Sequence, residues 1–187
     1  MMKILTLAGA ALAIASAASA QPMRHDGMSQ DHMNRGGMER GEGGMTHDFV
    51  SKAGASDKFE IGEARLAIAR SRDPRVKRFA TMMVRDHTQS TMKIKSAATR
   101  IMGHAPRPPV LDSEQQRMMD ELRNARGRDF DRTYVSQQIP AHQQALELMN
   151  SYASNGDAPP LKRAAADIAP VVEHHLAMLN DMQGRLH

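Results

Sequence analysis

The chain contains no cysteine and no tryptophan, and aromatic residues make up only 3% of its 187 positions. Without cysteine, no disulfide can hold the fold, which must rest on its own apolar core. Few aromatics and no basic stripe remove the usual footprint of a nucleic-acid partner. Acidic and basic residues are interspersed around a formal charge of +4, which describes a solvated surface with at most weak attraction to anionic envelopes. No segment alternates in the manner of a half-buried strand, and beyond the first 20 residues no apolar run is long enough to span a bilayer. There is also no glycine-rich phosphate loop, nucleophile elbow or HExxH pair. What remains is an all-α protein without a familiar catalytic motif.

Residues 1–20 read as a secretory signal: Lys3, an apolar run from Ile4 to Ala15, then Ala18-Ser19-Ala20 as a cleavage site. The run is too short for a membrane anchor and lacks a stop-transfer flank. The expected location is therefore the periplasm or the exterior, with outer-membrane association compatible and no transmembrane segment left after cleavage. Residues 21–45 are polar, glycine-rich and free of aliphatic side chains, and are expected to be disordered because they cannot bury a core. Met23, Met28, Met33 and Met38 recur at a constant interval, Met45 follows, and His25, His32 and His47 interleave. Spaced thioethers and imidazoles suit soft cations such as Cu(I) or Ag(I). The alternative is a biased tail with no specific partner.

Residues 46–187 read as one helical domain, broken by the proline-rich loop at 104–110 and by Asn155-Gly156-Asp157. A first helix is expected from Thr46 to Ser71, with Phe49, Ala53, Phe59, Leu66 and Ile68 as its apolar surface. A second follows Asp73, a good N-cap, with Pro74 at the first position and Gly103 as the stop. Its stripe is Val76, Ala80, Met83, His87, Ser90, Ile94, Ala97 and Ile101. A short helix capped by Asp112 or Ser113 places Met118, Met119 and Leu122 inward, and Gly127 separates it from a third long helix. That helix aligns Phe130, Tyr134, Gln138, His142, Ala145, Met149 and Tyr152. The fourth carries Leu161, Ala164, Ile168, Val171, His175, Met178 and Met182. Pro140 and Pro170 should bend the last two. Four long helices with short connections imply an antiparallel bundle.

Each long helix carries one ligand-capable side chain near its middle: Glu60, His87, His142 and His175. At about 1.5 Å of rise per residue, the four levels agree to within ~6 Å. One such residue per helix at a common height is how bundles build metal sites. Glu63, Asp86, Met83, His174 and Met178 stand near enough on their helices to contribute. Packed histidines satisfied by Ser90, Thr91 or Gln138 are the competing explanation.

Phe79-Ala80, Met83, Asp86-His87-Thr88, Phe130-Asp131, Tyr134, His142, Leu161-Lys162, Pro170 and His175-Leu176 resemble the bacterial family catalogued as domain of unknown function 4142. The resemblance spans about residues 46–182. It implies a ferritin-like four-helix bundle and an exported setting, but no activity. The recurrent Glu, Asp-His, His and His of that family map onto Glu60, Asp86-His87, His142 and His175. Di-iron bundles need paired Glu-x-x-His motifs. Val84, Ile139 and Val172 stand three residues before the histidines, so a di-iron ferroxidase loses its support. Three histidines and a carboxylate instead suit one Cu, Zn or Ni ion.

The expectation is an exported helical bundle that binds a transition metal in its core, for envelope metal handling or stress protection and without turnover. The rival is a structural or interaction protein of the envelope, docking a surface or protein partner, whose core histidines only pack. A metal-dependent oxidase is a third reading.

Overall fold

The computed structural model describes residues 35–186; the leader and the tail donors Met23, His25, Met28, His32 and Met33 lie outside the described residues. Among the described residues there are five helices and no strand: α1 (Arg35–Arg70), α2 (Pro74–Met102), α3 (Ser113–Asn124), α4 (Gly127–Asn155) and α5 (Pro159–Arg185). The four long ones form the ferritin-like bundle, with α3 as the short extra helix. No helix among them is long and apolar enough to cross a membrane.

Local chemistry sets both ends of α2 and the start of α3. The Asp73 carboxylate accepts from the Arg75 backbone N–H at 2.7 Å, and Gly103 closes α2 with φ of 73°, donating its N–H to the Thr99 carbonyl. Asp112 and Gln115 form a reciprocal capping box that starts α3. Where α3 ends, the Arg70 guanidinium donates to the carbonyls of Leu122, Arg123 and Ala125 and lies 4.8 Å over the Phe130 ring. One side chain thus satisfies orphan carbonyls and ties α1 to α3 and α4. Gly62 allows the close approach of α3, since a Cβ there would meet Met119 Cε at 3.2 Å.

The core lies in two apolar blocks. The first joins Phe49, Ala53, Ile94, Ala97, Met149, Tyr152, Leu161 and Ile168. The second joins Ala64, Val76, Phe79, Met83, Leu122, Phe130, Tyr134, Leu179 and Met182. Reading these in chain order gives the topology. α1 and α5 run from the first block to the second and the other two long helices run back, so α2 and α4 are parallel. In the ring α1–α2–α5–α4 every neighbouring pair is antiparallel and in contact. The links at 71–73 and 156–158 are tight. The connection between α2 and α4 is not short, as the sequence implied: residues 103–126 return along the bundle, with α3 packed on α1 and α4.

Three further expectations change. The first helix begins at Arg35 rather than Thr46, so part of the segment expected to be disordered, Met38 and Met45 included, is helical. Ile68 and Ile101, in the last turns of α1 and α2, are 36% and 40% exposed, because the stripe there passes beyond the packed blocks. On α5 the inner stripe runs Ile168, Val172, His175, Leu179, Met182, and Val171 lies at its edge, 40% exposed.

Burial therefore decides the cost of a charge in α2. Ile94→Asp is expected to destabilise the domain by more than ~3 kcal/mol through an unpaired buried carboxylate, whereas Ile101→Asp stays within about 0.5 kcal/mol. Denaturant melts of the two variants check this, and equal losses would mean that Ile94 does not face the core.

Candidate metal centre

A polar layer separates the two apolar blocks. Asp57, Glu60 and Glu63 enter it from α1, His87 and Ser90 from α2, Gln138 and His142 from α4, and His175 from α5, all of them buried. They interrupt their apolar stripes at matching levels, with Val172 in one block and Leu179 in the other on either side of His175.

His142 meets His87 and His175 face to edge, while the His87 and His175 rings are tilted by 40° to each other. Ring centroids are 5.5 Å apart for His87 and His142, 5.4 Å for His87 and His175, and 5.6 Å for His142 and His175. One ring nitrogen from each lies within 4.8 Å of the others, a spacing that could hold a metal ion. A second group, Asp57, Glu60 and His87, meets the same criterion on the other side of His87.

Hydrogen bonds orient each ring. His142 Nδ1–H donates to the Gln138 carbonyl at 2.9 Å, with Glu60 Oε1 3.4 Å away. His87 Nδ1–H donates to Asp57 Oδ1 at 2.9 Å and lies 3.0 Å from Glu60 Oε2. His175 Nε2–H donates to Asp86 Oδ2 at 3.1 Å. The opposite nitrogens, His87 Nε2, His142 Nε2 and His175 Nδ1, are buried and have no partner. One nitrogen fixed by an oxygen acceptor and the other free is the arrangement found for metal-ligating histidines. A buried polar atom left unpaired costs about 1–3 kcal/mol, and three such nitrogens lie in this one layer.

Electrostatics fix the protonation. Burial pushes the Glu60 carboxyl up, but the charges of His87 and His142 and a hydrogen bond from His87 outweigh it and hold the group at about 2. Burial pushes the His87 ring down, and the Glu60 charge with the hydrogen bonds to Asp57 and Glu60 raises it to about 10. Glu60 and His87 thus form a buried ion pair. Burial and the His87 charge lower His175 to about 4, against the pull of Asp86. Burial lowers His142 as well, although Glu60 opposes it. Two of the three rings therefore stay neutral, with bare lone pairs, at neutral pH.

The structure brings His87, His142 and His175 together as the sequence suggests, and gives Glu60 a different place. Glu60 faces the Nδ1 atoms of His87 and His142, on the far side of those rings from the free nitrogens. Asp86 neither faces solvent nor orients His87; it pairs with Arg85 and holds His175 on the facing helix. Glu63 accepts from Gln138 Nε2 at 2.8 Å. Met83 is fully buried in the second apolar block and Met178 packs half-buried against it, while His174 is exposed. Thr91 donates to Asp57 instead of to a histidine, and Ser90 Oγ has no partner. Of the tail donors that are described, Met45 and His47 sit exposed on α1. Asp57 was not singled out by the sequence reading. The signal was present, since Asp57, Glu60 and Glu63 recur at three-residue steps on one side of α1.

A family profile described as "Domain of unknown function (DUF4142)" matches residues 30–182. No protein of curated function matches the chain. Among solved structures, CopM in its Cu(II)-bound form aligns with a TM-score of 0.67 at 18% identity, covering 76% of this chain and 97% of that one. The Ag-bound form of CopM obtained by co-crystallisation gives 0.64 at 20%, covering 75% and 96%. A DUF305 fragment from Deinococcus radiodurans gives 0.64 at 19%, with coverage of 75% and 96%. At such identities these likenesses concern the fold.

The layer also carries a pH signature away from the rings. Burial raises the Glu63 carboxyl to about 8 despite its bond from Gln138, so Glu63 is protonated in the fold at neutral pH and ionised when unfolded. The folded state then holds the extra proton between about pH 4.5 and 8, and stability is lost as pH rises through that window. Glu63→Gln mimics the neutral acid. It is expected to raise stability at pH 8 by on the order of 4 kcal/mol, with the gain nearly gone near pH 4.5. Urea titrations at the two pH values measure the difference, and a gain independent of pH contradicts the assignment.

Proposed function

The chain belongs to the DUF4142 family, and we propose that this member is an exported metal-handling protein that holds one soft transition-metal ion, copper foremost, on His87, His142 and His175. The observation that carries this is the set of three buried, unpartnered imidazole nitrogens, each on a ring whose other nitrogen is held by a carboxylate or carbonyl. Imidazole suits Cu, Zn and Ni alike. Copper is preferred because loss of the His87 proton on loading leaves three neutral imidazole donors, with Glu60 beside them as a balancing negative charge. The CopM structures of similar fold with Cu(I), Cu(II) and Ag support the same choice. A bound ion would act here as cargo or ballast; the role is capture, not turnover.

Asp57, Glu60, Asp86 and the Gln138 carbonyl orient the rings. At His87 Nε2 an incoming ion replaces a proton, so a monovalent ion leaves the charge of the layer unchanged. The Met- and His-rich leading segment, with Met23, His25, Met28, His32, Met33, Met38, Met45 and His47, gathers ions before they reach the core. The signal-like residues 1–20 support a periplasmic or secreted location.

Titration of Cu(I) into the full chain against a chromophoric chelator tests the centre. His142→Ala is expected to remove one equivalent of high-affinity binding and to leave the apo melting temperature within a few degrees. Identical stoichiometry in wild type and variant rejects the centre in favour of histidines that only pack, a role in which the substitution instead lowers apo stability by breaking a buried network. Removing residues 21–34 is expected to lower stoichiometry further while the equivalent lost in His142→Ala persists; unchanged stoichiometry rejects capture by the tail.

A further inference from the structure

A buried centre needs a way in, and a cleft lies on each of the two sides where neighbouring long helices are not joined by a tight link. The cleft between α1 and α4 is floored by Phe59 and Ala145 and reaches none of the three histidines. The cleft between α2 and α5, of about 560 Å³, is lined by both His87 and His175. Pro170 lies on its wall, where it removes a backbone donor from α5. Ser90, whose buried hydroxyl has no partner, also lines it.

The walls carry donors at graded depth. His174 is exposed on α5, and its ring centroid is 6.5 Å from that of buried His175. Met82, half-buried, faces the same cleft from α2. Lys93 and Asp167 pair across the cleft at 3.0 Å, but both are solvent-exposed, and such a pair contributes at most about 1 kcal/mol. It spans the opening without locking it.

We propose that the α2–α5 cleft is the port through which a soft metal ion enters and leaves the three-histidine centre, with His174 as the transfer ligand at its mouth. This rests on the metal-centre reading above. An ion taken by His174 passes to His175 by exchange of one imidazole for another, so it need not be fully rehydrated between the mouth and the centre. His174 is then a transient ligand used in loading and is not part of the resting site.

The test measures rates and equilibrium separately on the full chain. Cu(I) uptake from, and release to, bicinchoninate is followed by stopped flow, taking the kinetic phase that His142→Ala abolishes as the signal of the centre. Val171→Trp, at an exposed position on the port wall, is expected to slow uptake and release together by about tenfold or more while affinity changes less than about twofold. His174→Ala should slow both by several-fold with affinity likewise kept. Gln144→Trp, in the opposite cleft, should change neither rate. Unchanged rates in Val171→Trp and His174→Ala, or slowing in Gln144→Trp, overturn the port while leaving the centre standing. Loss of affinity in His174→Ala would make it a resting ligand and also overturn the assignment. A wild type with no phase sensitive to His142→Ala overturns the centre and the port with it.

Discussion

The interaction on which this bundle turns is the buried ion pair between Glu60 and His87. Both side chains are almost inaccessible, and each holds the other in its charged form against burial. Such a pair is seldom a net source of stability, because desolvation consumes most of the Coulomb gain, yet removing either partner strands a buried charge. The rest of the layer follows from that constraint. Asp57 supports His87, Thr91 supports Asp57, and His142 is drawn to the same carboxylate while giving its proton to the Gln138 carbonyl.

Stability has to come from elsewhere, and the two apolar blocks on either side supply it. Each fully buried Phe or Leu contributes about 1.5–3 kcal/mol on transfer from water, and Phe49, Phe59, Phe79, Phe130, Leu122, Leu161 and Leu179 are all so buried. The clamp of Arg70 on the end of α3 and the Thr46–Tyr152–Asp157 cluster close the two ends. With both ends fixed, the middle can carry unpartnered nitrogens that a uniformly packed core would not retain. Purely packed histidines would be expected to use both ring nitrogens, and none of these three does.

The same geometry sets access. The two sides of the ring not closed by a tight link, α1–α4 and α2–α5, each open into a cleft. Of these two, the α2–α5 cleft reaches the imidazoles of His87 and His175. Asp86 connects the features: its largely buried carboxylate pairs with exposed Arg85 and fixes the ring of His175 at the base of the cleft.

Periodicity, caps and prolines in the sequence determined the helical class, four of the five helix starts and the residues that interrupt the apolar stripes. Those signals are local: a cap or a three-four repeat is complete within a few residues of chain. The early start of α1 was missed because glycine and polar residues weaken a local helix signal. The three histidines were legible because a polar residue in an apolar stripe is conspicuous without any knowledge of its neighbours. Which nitrogen each ring presents was not legible, nor that Glu60 stands behind the rings, that Asp86 serves His175 across the bundle, or that Asp57 belongs to the layer. Those facts depend on rotation and crossing of helices distant in sequence. The crossover that makes α2 and α4 parallel was likewise a tertiary decision, since the same stripes could bury in another order; here residues 103–126 carry the chain back along the bundle with α3 packed on α1 and α4.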